Sequence, residues 1–251
     1  MRYSADLPSR PKLRGCLRRL RVHEYLARPQ QHASALHIVV EGWAARYKLL
    51  FDGRRQITRF YLRGDLCDPA WLSQSTVVQP VVAMTSLQTI SLNCDEILSR
   101  ADRDPLLMTA LWEESRAAAD MQSEWAFNLG RKTARERLAH LFCEITARLE
   151  TREISGGTNC ELPLSQKDIA DFTGLTPVHV SRTLKEMRSD GLIEFQSGTL
   201  KIADVRELAR EASFKNDYLG GGSAFRDFVQ IPATPGITPA SRPVGNYPRL
   251  R

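Results

Sequence analysis

Residues 164–195 read LSQKDIADFTGLTPVHVSRTLKEMRSDGLIEF, and this stretch decides the fold. Ser165 and Asp168 stand three apart just before an apolar run. In that pattern a hydroxyl and an acidic side chain each satisfy a free backbone N–H at a helix start. Ile169, Ala170 and Phe172 supply the helix's apolar face, and Thr173-Gly174 turns the chain. Thr176 caps a second helix and Pro177 takes its first position, where no N–H is needed; that helix runs to about Ser189, before Gly191. Two short helices about a glycine turn predict a helix-turn-helix. Ala170 is small where the helices would cross, and Val180 falls on the inward face. Ile193 and Phe195, then Leu200 and Ile202, flank Ser197-Gly198 as two short strands about a hairpin turn, which places a wing after the second helix.

The outward face of that second helix offers Thr176, Val178, His179, Ser181, Arg182 and Lys185, with Arg188 near its end. An Arg can donate two bonds to the O6/N7 edge of guanine, while Ser, Thr and Lys hold phosphates. Together with Ser165 and Gln166 at the start of the first helix, Thr176 to Lys185 on this face are the expected contacts to double-stranded DNA. The plain alternative is a small helical hairpin with a solvated charged face.

Upstream, from Leu36 to Leu92, short apolar or β-branched runs alternate with turn signals. Asp52-Gly53 between two such runs predicts a hairpin with a tight type I′ turn, and the whole region reads as a compact antiparallel β domain. After Asp104-Pro105 the period becomes helical. Leu107, Leu111, Glu114, Ala118, Met121 and Trp125 are spaced as the seam of one long helix, either lying on its own β domain or pairing with a second copy, with Met121 and Trp125 as the large knobs. Gly130 is expected to break that helix. Thr133-Ala-Arg-Glu136 opens the next as a capping box, and Gly156-Gly157 closes the segment. Residues 214–251 carry five Gly and five Pro and read as a disordered tail.

Composition bounds the function. At 251 residues, 42% apolar and 25% charged, the chain is globular and long enough for about two domains, with no run approaching a membrane span. The net charge of +6 comes from its ends, since residues 1–28 hold eight Lys/Arg against two acids and residues 131–213 hold thirteen against thirteen. DNA binding therefore rests on placement of cations, not on bulk charge. The Arg-rich, acid-poor start resembles a transit peptide but has no apolar core for secretion. Five cysteines (Cys16, Cys67, Cys94, Cys143, Cys160) without a CxxC pair suggest reduced thiols in a cytoplasm, with Cys160 accessible beside its Gly-rich loop.

The segments EGWAARYKLLFDGRRQITRFYLRGDLCD (41–68), EWAFNLGRKTARERLAHLFCEI (124–145) and 164–195 resemble the Crp/Fnr family of bacterial transcription regulators, over about residues 15–210. The resemblance implies an α+β protein. Residues 1–103 would form an amino-terminal arm and an antiparallel, jelly-roll-like β-roll sensor shaped like a cyclic-nucleotide-binding domain. Residues 104–130 would be a dimerisation helix, and 131–213 a winged helix-turn-helix. It favours a homodimer on a palindromic operator, with RNA polymerase as a further partner if the protein activates transcription.

The departures from the family pattern matter equally. Where cyclic-nucleotide binders carry a Gly-Glu and an Arg-Ser/Thr-Ala, this chain has Asp68-Pro-Ala-Trp-Leu72 and Gln79-Pro-Val-Val-Ala83, so the cyclic phosphate lacks its Arg and cyclic AMP or GMP is not expected. Cys16 alone near the start leaves no cysteine set for an iron-sulfur cluster. Haem through His23, His32 or His37 stays open as an alternative, beside a redox-responsive sensor. Family members often carry Glu four residues before the recognition Arg. Here Val178 stands there and only Ser181-Arg182 carries over, so the operator should differ. A protein-interaction module and a cupin-like metalloenzyme are the rivals from other classes; the second would need clustered His and Glu on strands, which the pattern lacks.

Overall fold

The computed structural model describes residues 12–73, 76–149, 158–219 and 225–230. The chain first runs through β1 (Leu13–Arg14), β2 (Cys16–Leu20), β3 (Tyr25–Ala27), β4 (Ala35–Glu41), β5 (Ala44–Leu49), β6 (Arg55–Tyr61), β7 (Leu66–Cys67), β8 (Val81–Ala83) and β9 (Leu87–Asn93). β2 to β9 pair antiparallel in two four-stranded sheets, ordered β2-β9-β4-β7 and β3-β8-β5-β6, which close into a β-roll. Then follow α1 (Cys94–Ala101), α2 (Pro105–Arg131), α3 (Ala134–Arg148), β10 (Thr158–Glu161), α4 (Gln166–Thr173), α5 (Pro177–Ser189), β11 (Ile193–Gln196), β12 (Thr199–Ile202) and α6 (Val205–Glu211). Two short 3-10 turns, Asp217–Leu219 and Phe225–Phe228, lead to β13 (Val229–Gln230). The architecture is α+β.

Local chemistry explains most of the boundaries. Thr133 and Glu136 form the capping box of α3, and Asp104 caps α2 with Pro105 at its first turn. Ser197 and Gly198 both have positive φ, as a two-residue wing turn requires. The Asp52-Gly53 turn differs from expectation. β5 and β6 are joined by residues 50–54, where only Gly53 has positive φ and the Asp52 carboxylate accepts from the Arg54 backbone and guanidinium, which stabilises a wider loop than a type I′ turn. α2 also passes through Gly130 and ends at Arg131, after which the Lys132 backbone turns extended.

Two cores divide the molecule. One fills the β-roll, with Leu36, Ile38, Ile90 and Leu92 buried, and takes in Leu107, Ala110 and Leu111 of α2. The other lies between the β-roll and the helix-turn-helix, joining Trp43 and Phe60 to Met121, Trp125, Phe142 and Phe172. The seam from Leu107 to Trp125 thus packs on its own chain, and Met121 and Trp125 are not knobs offered to a second copy. A 27-residue helix crossing from one domain to the other must bury that stripe at home.

The tail reading is corrected for residues 214–219 and 225–230. Phe225 is 1% exposed, Val229 2%, and β13 pairs in parallel with β1. Composition averaged over 38 residues hid this: all five prolines follow Gln230, while the aromatics Phe214, Tyr218, Phe225 and Phe228 precede it. Residues 231–251, 1–11 and the Gly156-Gly157 loop lie outside the described residues. Cys160 is buried rather than accessible, and burial pushes its thiol up; only Cys16 of the five is exposed.

His37 and His140 are buried and held neutral. Desolvation, then the charge of Arg18, lowers His37 from 6.5 to about 3; desolvation, then Lys132, does the same to His140. Unfolding lets both take a proton below pH 6.5, so their contribution to stability is complete above that pH and is lost toward acid, by up to about 1.4 kcal/mol per pH unit for each. Urea midpoints should therefore fall steadily between pH 7 and 5, and a midpoint that held or rose over that interval would contradict the neutral assignment.

Candidate DNA-binding site

Ser165 caps α4, accepting from the Asp168 N–H at 3.1 Å, and Thr176 caps α5, accepting from the His179 N–H at 3.2 Å. Between the helices Gly174 holds φ +67, and a Cβ there would meet Leu129 Cδ2 at 3.3 Å. Ala170 is 1% exposed and Val180 is fully buried, so the helices cross on small and inward side chains. This fixes the outward face of α5. Thr176, Val178, Ser181, Arg182 and Lys185 are exposed along it, and His179 is half-buried. Arg182 lies 3.9 Å from Glu186 one turn on, an exposed pair that constrains it little. Ser165 and Gln166 are exposed at the α4 start. The Ser165 hydroxyl already donates to Asp168, whereas the Gln166 side chain makes no hydrogen bond among the described residues.

The opposite face of α4 is docked on the β-roll. Arg55 of β6 reaches Asp168 at 2.5 Å and Asp171 at 2.8 Å, and Gln56 donates to the Phe172 carbonyl at 2.9 Å. Phe172 sits between Phe60 and Trp125, with ring centroids 4.6 and 4.3 Å away. Deeper still, Glu144 of α3 accepts from Trp125 Nε1 and from the Tyr218 hydroxyl, each at 2.8 Å, and from Arg148 at 3.2 Å. Arg148 donates onward to the Asp65 carboxylate at 2.5 Å and the Phe60 carbonyl at 2.8 Å. The docking leaves the α5 face clear of the β-roll contacts.

Inside the β-roll the stretch 68–83 supplies no Arg, yet two other arginines lie buried there. Arg46 and Arg59 face each other across β5 and β6 at 6% and 9% exposure. Arg46 pairs with Asp68 at 3.0 Å and donates to Thr58 at 3.2 Å, while Thr58 donates to Gln79 at 2.8 Å. Asp68 and Gln79 are therefore engaged inside the chain and the stretch itself offers no Arg to a cyclic phosphate, while Arg59 Nε is buried without a hydrogen-bond partner among the described residues. Of the three histidines considered for haem, His23 and His32 are exposed and His37 is buried against Trp71 with Thr89 at 3.5 Å. They do not converge on one site. Sequence reasoning missed Arg46, Arg55, Arg59 and Arg148, because arginines on strands and helices default to solvent.

This two-domain arrangement has known counterparts. Residues 17–104 match the cyclic nucleotide-binding domain family and residues 136–211 the Crp-like helix-turn-helix domain family. The nitrogen fixation regulation protein FixK of Azorhizobium caulinodans is 36% identical over 180 residues, 72% of each chain. The chain belongs to the Crp/Fnr family of transcription regulators. The transcriptional activator protein FnrL of Cereibacter sphaeroides is 32% identical over 183 residues, covering 71% of this chain and 73% of that one. The structure of FixK2 from Bradyrhizobium japonicum superposes with a TM-score of 0.70 at 27% identity, over 78% of this chain and 96% of that chain. As a Crp/Fnr regulator the protein binds DNA through its helix-turn-helix. Among the described residues no helix is long and apolar enough to cross a membrane.

Removing one partner from a buried ion cluster strands the others. Arg148→Met should cost ~3 kcal/mol by leaving Glu144 and Asp65 short of a cation. Chemical denaturation checks this, and a loss under about 1 kcal/mol would mean the cluster adds little.

Proposed function

We propose that the chain acts as a homodimer on a two-fold symmetric operator, using Arg182 to read a base edge and Lys185, Thr176, Ser181 and Gln166 at the α4 start to hold phosphates, while Ser165, whose hydroxyl and backbone N–H both donate to Asp168, serves as the helix cap. Val178, 80% exposed, offers only methyl groups and suits a thymine methyl; His179 sits at the rim.

The observation that carries the dimer is a second stripe on α2. Thr109, Trp112, Arg116, Ala119, Ser123, Ala126 and Gly130 follow one another at alternating intervals of three and four residues, and all are exposed. Trp112 is 69% exposed, with Leu106 at 49% and Phe127 at 55% beside the stripe. Ala119, Ser123, Ala126 and Gly130 are small enough for two helices to approach closely, and Trp112 provides the apolar bulk. A second copy of α2 is the occupant that matches this period.

The β-roll takes no cyclic nucleotide in this reading, because Arg46 already holds Asp68 and no Arg comes from residues 79–83. FnrL is a transcriptional activator protein. By that analogy the protein raises transcription in the cytoplasm through contact with RNA polymerase.

Two measurements test this. Trp112→Glu should lower the dimer fraction in sedimentation at micromolar concentration and weaken operator binding with it; a wild type that sediments as a monomer would sink the dimer. In binding-site selection at fixed salt, Arg182→Ala should cost ~1–3 kcal/mol and relax one base pair per half-site, whereas Lys185→Ala should weaken all sequences alike and flatten the salt dependence. An unchanged motif with Arg182→Ala would remove Arg182 from base reading.

A further inference from the structure

The C-terminal segment enters both cores. Phe214, Tyr218 and Leu219 pack against the interdomain core, and the turn Asp217–Leu219 lies on α2. Phe225 and Val229 belong to the β-roll core, and the turn Phe225–Phe228 also lies on α2. At this second anchor Arg226 Nε donates to the Gly64 carbonyl at 2.7 Å. Gly64 has φ +93, and a Cβ on it would fall 1.7 Å from the Arg226 guanidinium, so the bare backbone is what lets that side chain cross.

The first anchor reaches the joint between the domains. α2 and α3 are separated only by Lys132 and Thr133. Lys132 Nζ lies 2.8 Å from His140 Nδ1, and His140 Nε2 lies 2.9 Å from the Tyr218 hydroxyl, which donates to Glu144. The donors run one way. Lys132 donates to a neutral His140, His140 donates to Tyr218, and Tyr218 donates to Glu144. The Tyr218 ring also stacks on His140, with centroids 5.9 Å apart and planes 14° from parallel.

We propose that the two anchors, residues 214–219 and 225–230, act together as a positioning strap that sets the orientation of the helix-turn-helix relative to α2, and through it the separation of the two recognition helices. A domain joined to its neighbour at one short linker can swing about it. Here the chain enters the DNA-binding domain through Lys132-Thr133 and leaves it through a segment anchored back on the β-roll, so the domain is held at both of its chain ends. No hydrogen bond, ion pair or ring contact joins the described residues of the strap to α5, so the strap acts on where that face points. The proposal rests on the homodimer reading, since separation has meaning only for two helices.

The test uses the full chain with Tyr218→Phe, which keeps the ring and removes the bridging hydroxyl, and with Arg226→Ala, which frees the second anchor. Affinity is measured for operators whose half-sites are moved apart or together by one and two base pairs. Each added pair turns the second half-site about the helix axis, so the wild type should lose roughly tenfold or more per step. Both variants should keep the half-site sequence preference while that penalty shrinks to about threefold or less. A merely structural role would lower melting temperature and weaken all spacings by one factor. A spacing-sensitive wild type whose variants stay equally sensitive overturns the strap alone; variants that bind the best operator more tightly overturn it too, by making the segment a restraint. A wild type indifferent to spacing overturns the dimer and the strap together.

Discussion

Arg148 carries the connection on which the rest of the structure depends. Its side chain is buried between two domains and bonds the Glu144 carboxylate on its own helix, the Asp65 carboxylate in the turn after β6 and the Phe60 carbonyl on β6. A guanidinium out of water is costly unless its charge and its donors are matched. Two carboxylates and a carbonyl supply the match only while α3 sits against the β-roll. The same geometry presents Phe60 to Phe172, and Arg55 to Asp168 and Asp171. The first helix of the DNA-binding motif is thereby fixed on the β-roll, and the second is left facing outward.

The β-roll interior follows the same rule at one of its two buried arginines. Arg46 takes Asp68 and Thr58 as partners, whereas Arg59, over the Tyr61 ring at 5.1 Å, keeps a buried Nε without a hydrogen-bond partner among the described residues. Arg46 already has its counter-ion in the chain and has little need of an anionic ligand.

The sequence displayed the parts whose signal is local. Capping residues Ser165, Thr176 and Thr133 sit where their spacing puts them, as do the Gly174 turn and the Ser197-Gly198 wing hairpin. What it could not display were the partners of long side chains. Arg55 finds Asp168 and Asp171 more than a hundred residues away, and Arg148 finds Asp65 across a domain boundary. The seam of α2 shows a related limit. A 3.5-residue period identified an apolar stripe, but two stripes run along that helix, and only packing tells that Met121 and Trp125 face home while Trp112 faces out. The tail shows the cost of averaging, since five late prolines masked four early aromatics.

The central claim is that the two domains form one cooperative unit in the free protein. Native-state hydrogen exchange at rising urea tests it most directly, by comparing the amides of β6 with those of α4. The account predicts that both sets share one opening free energy and move together as urea rises. Amides of α4 and α5 exchanging through a lower-energy opening while β6 stays protected would contradict it, because the DNA-binding domain would then be released without breaking the Arg148 cluster.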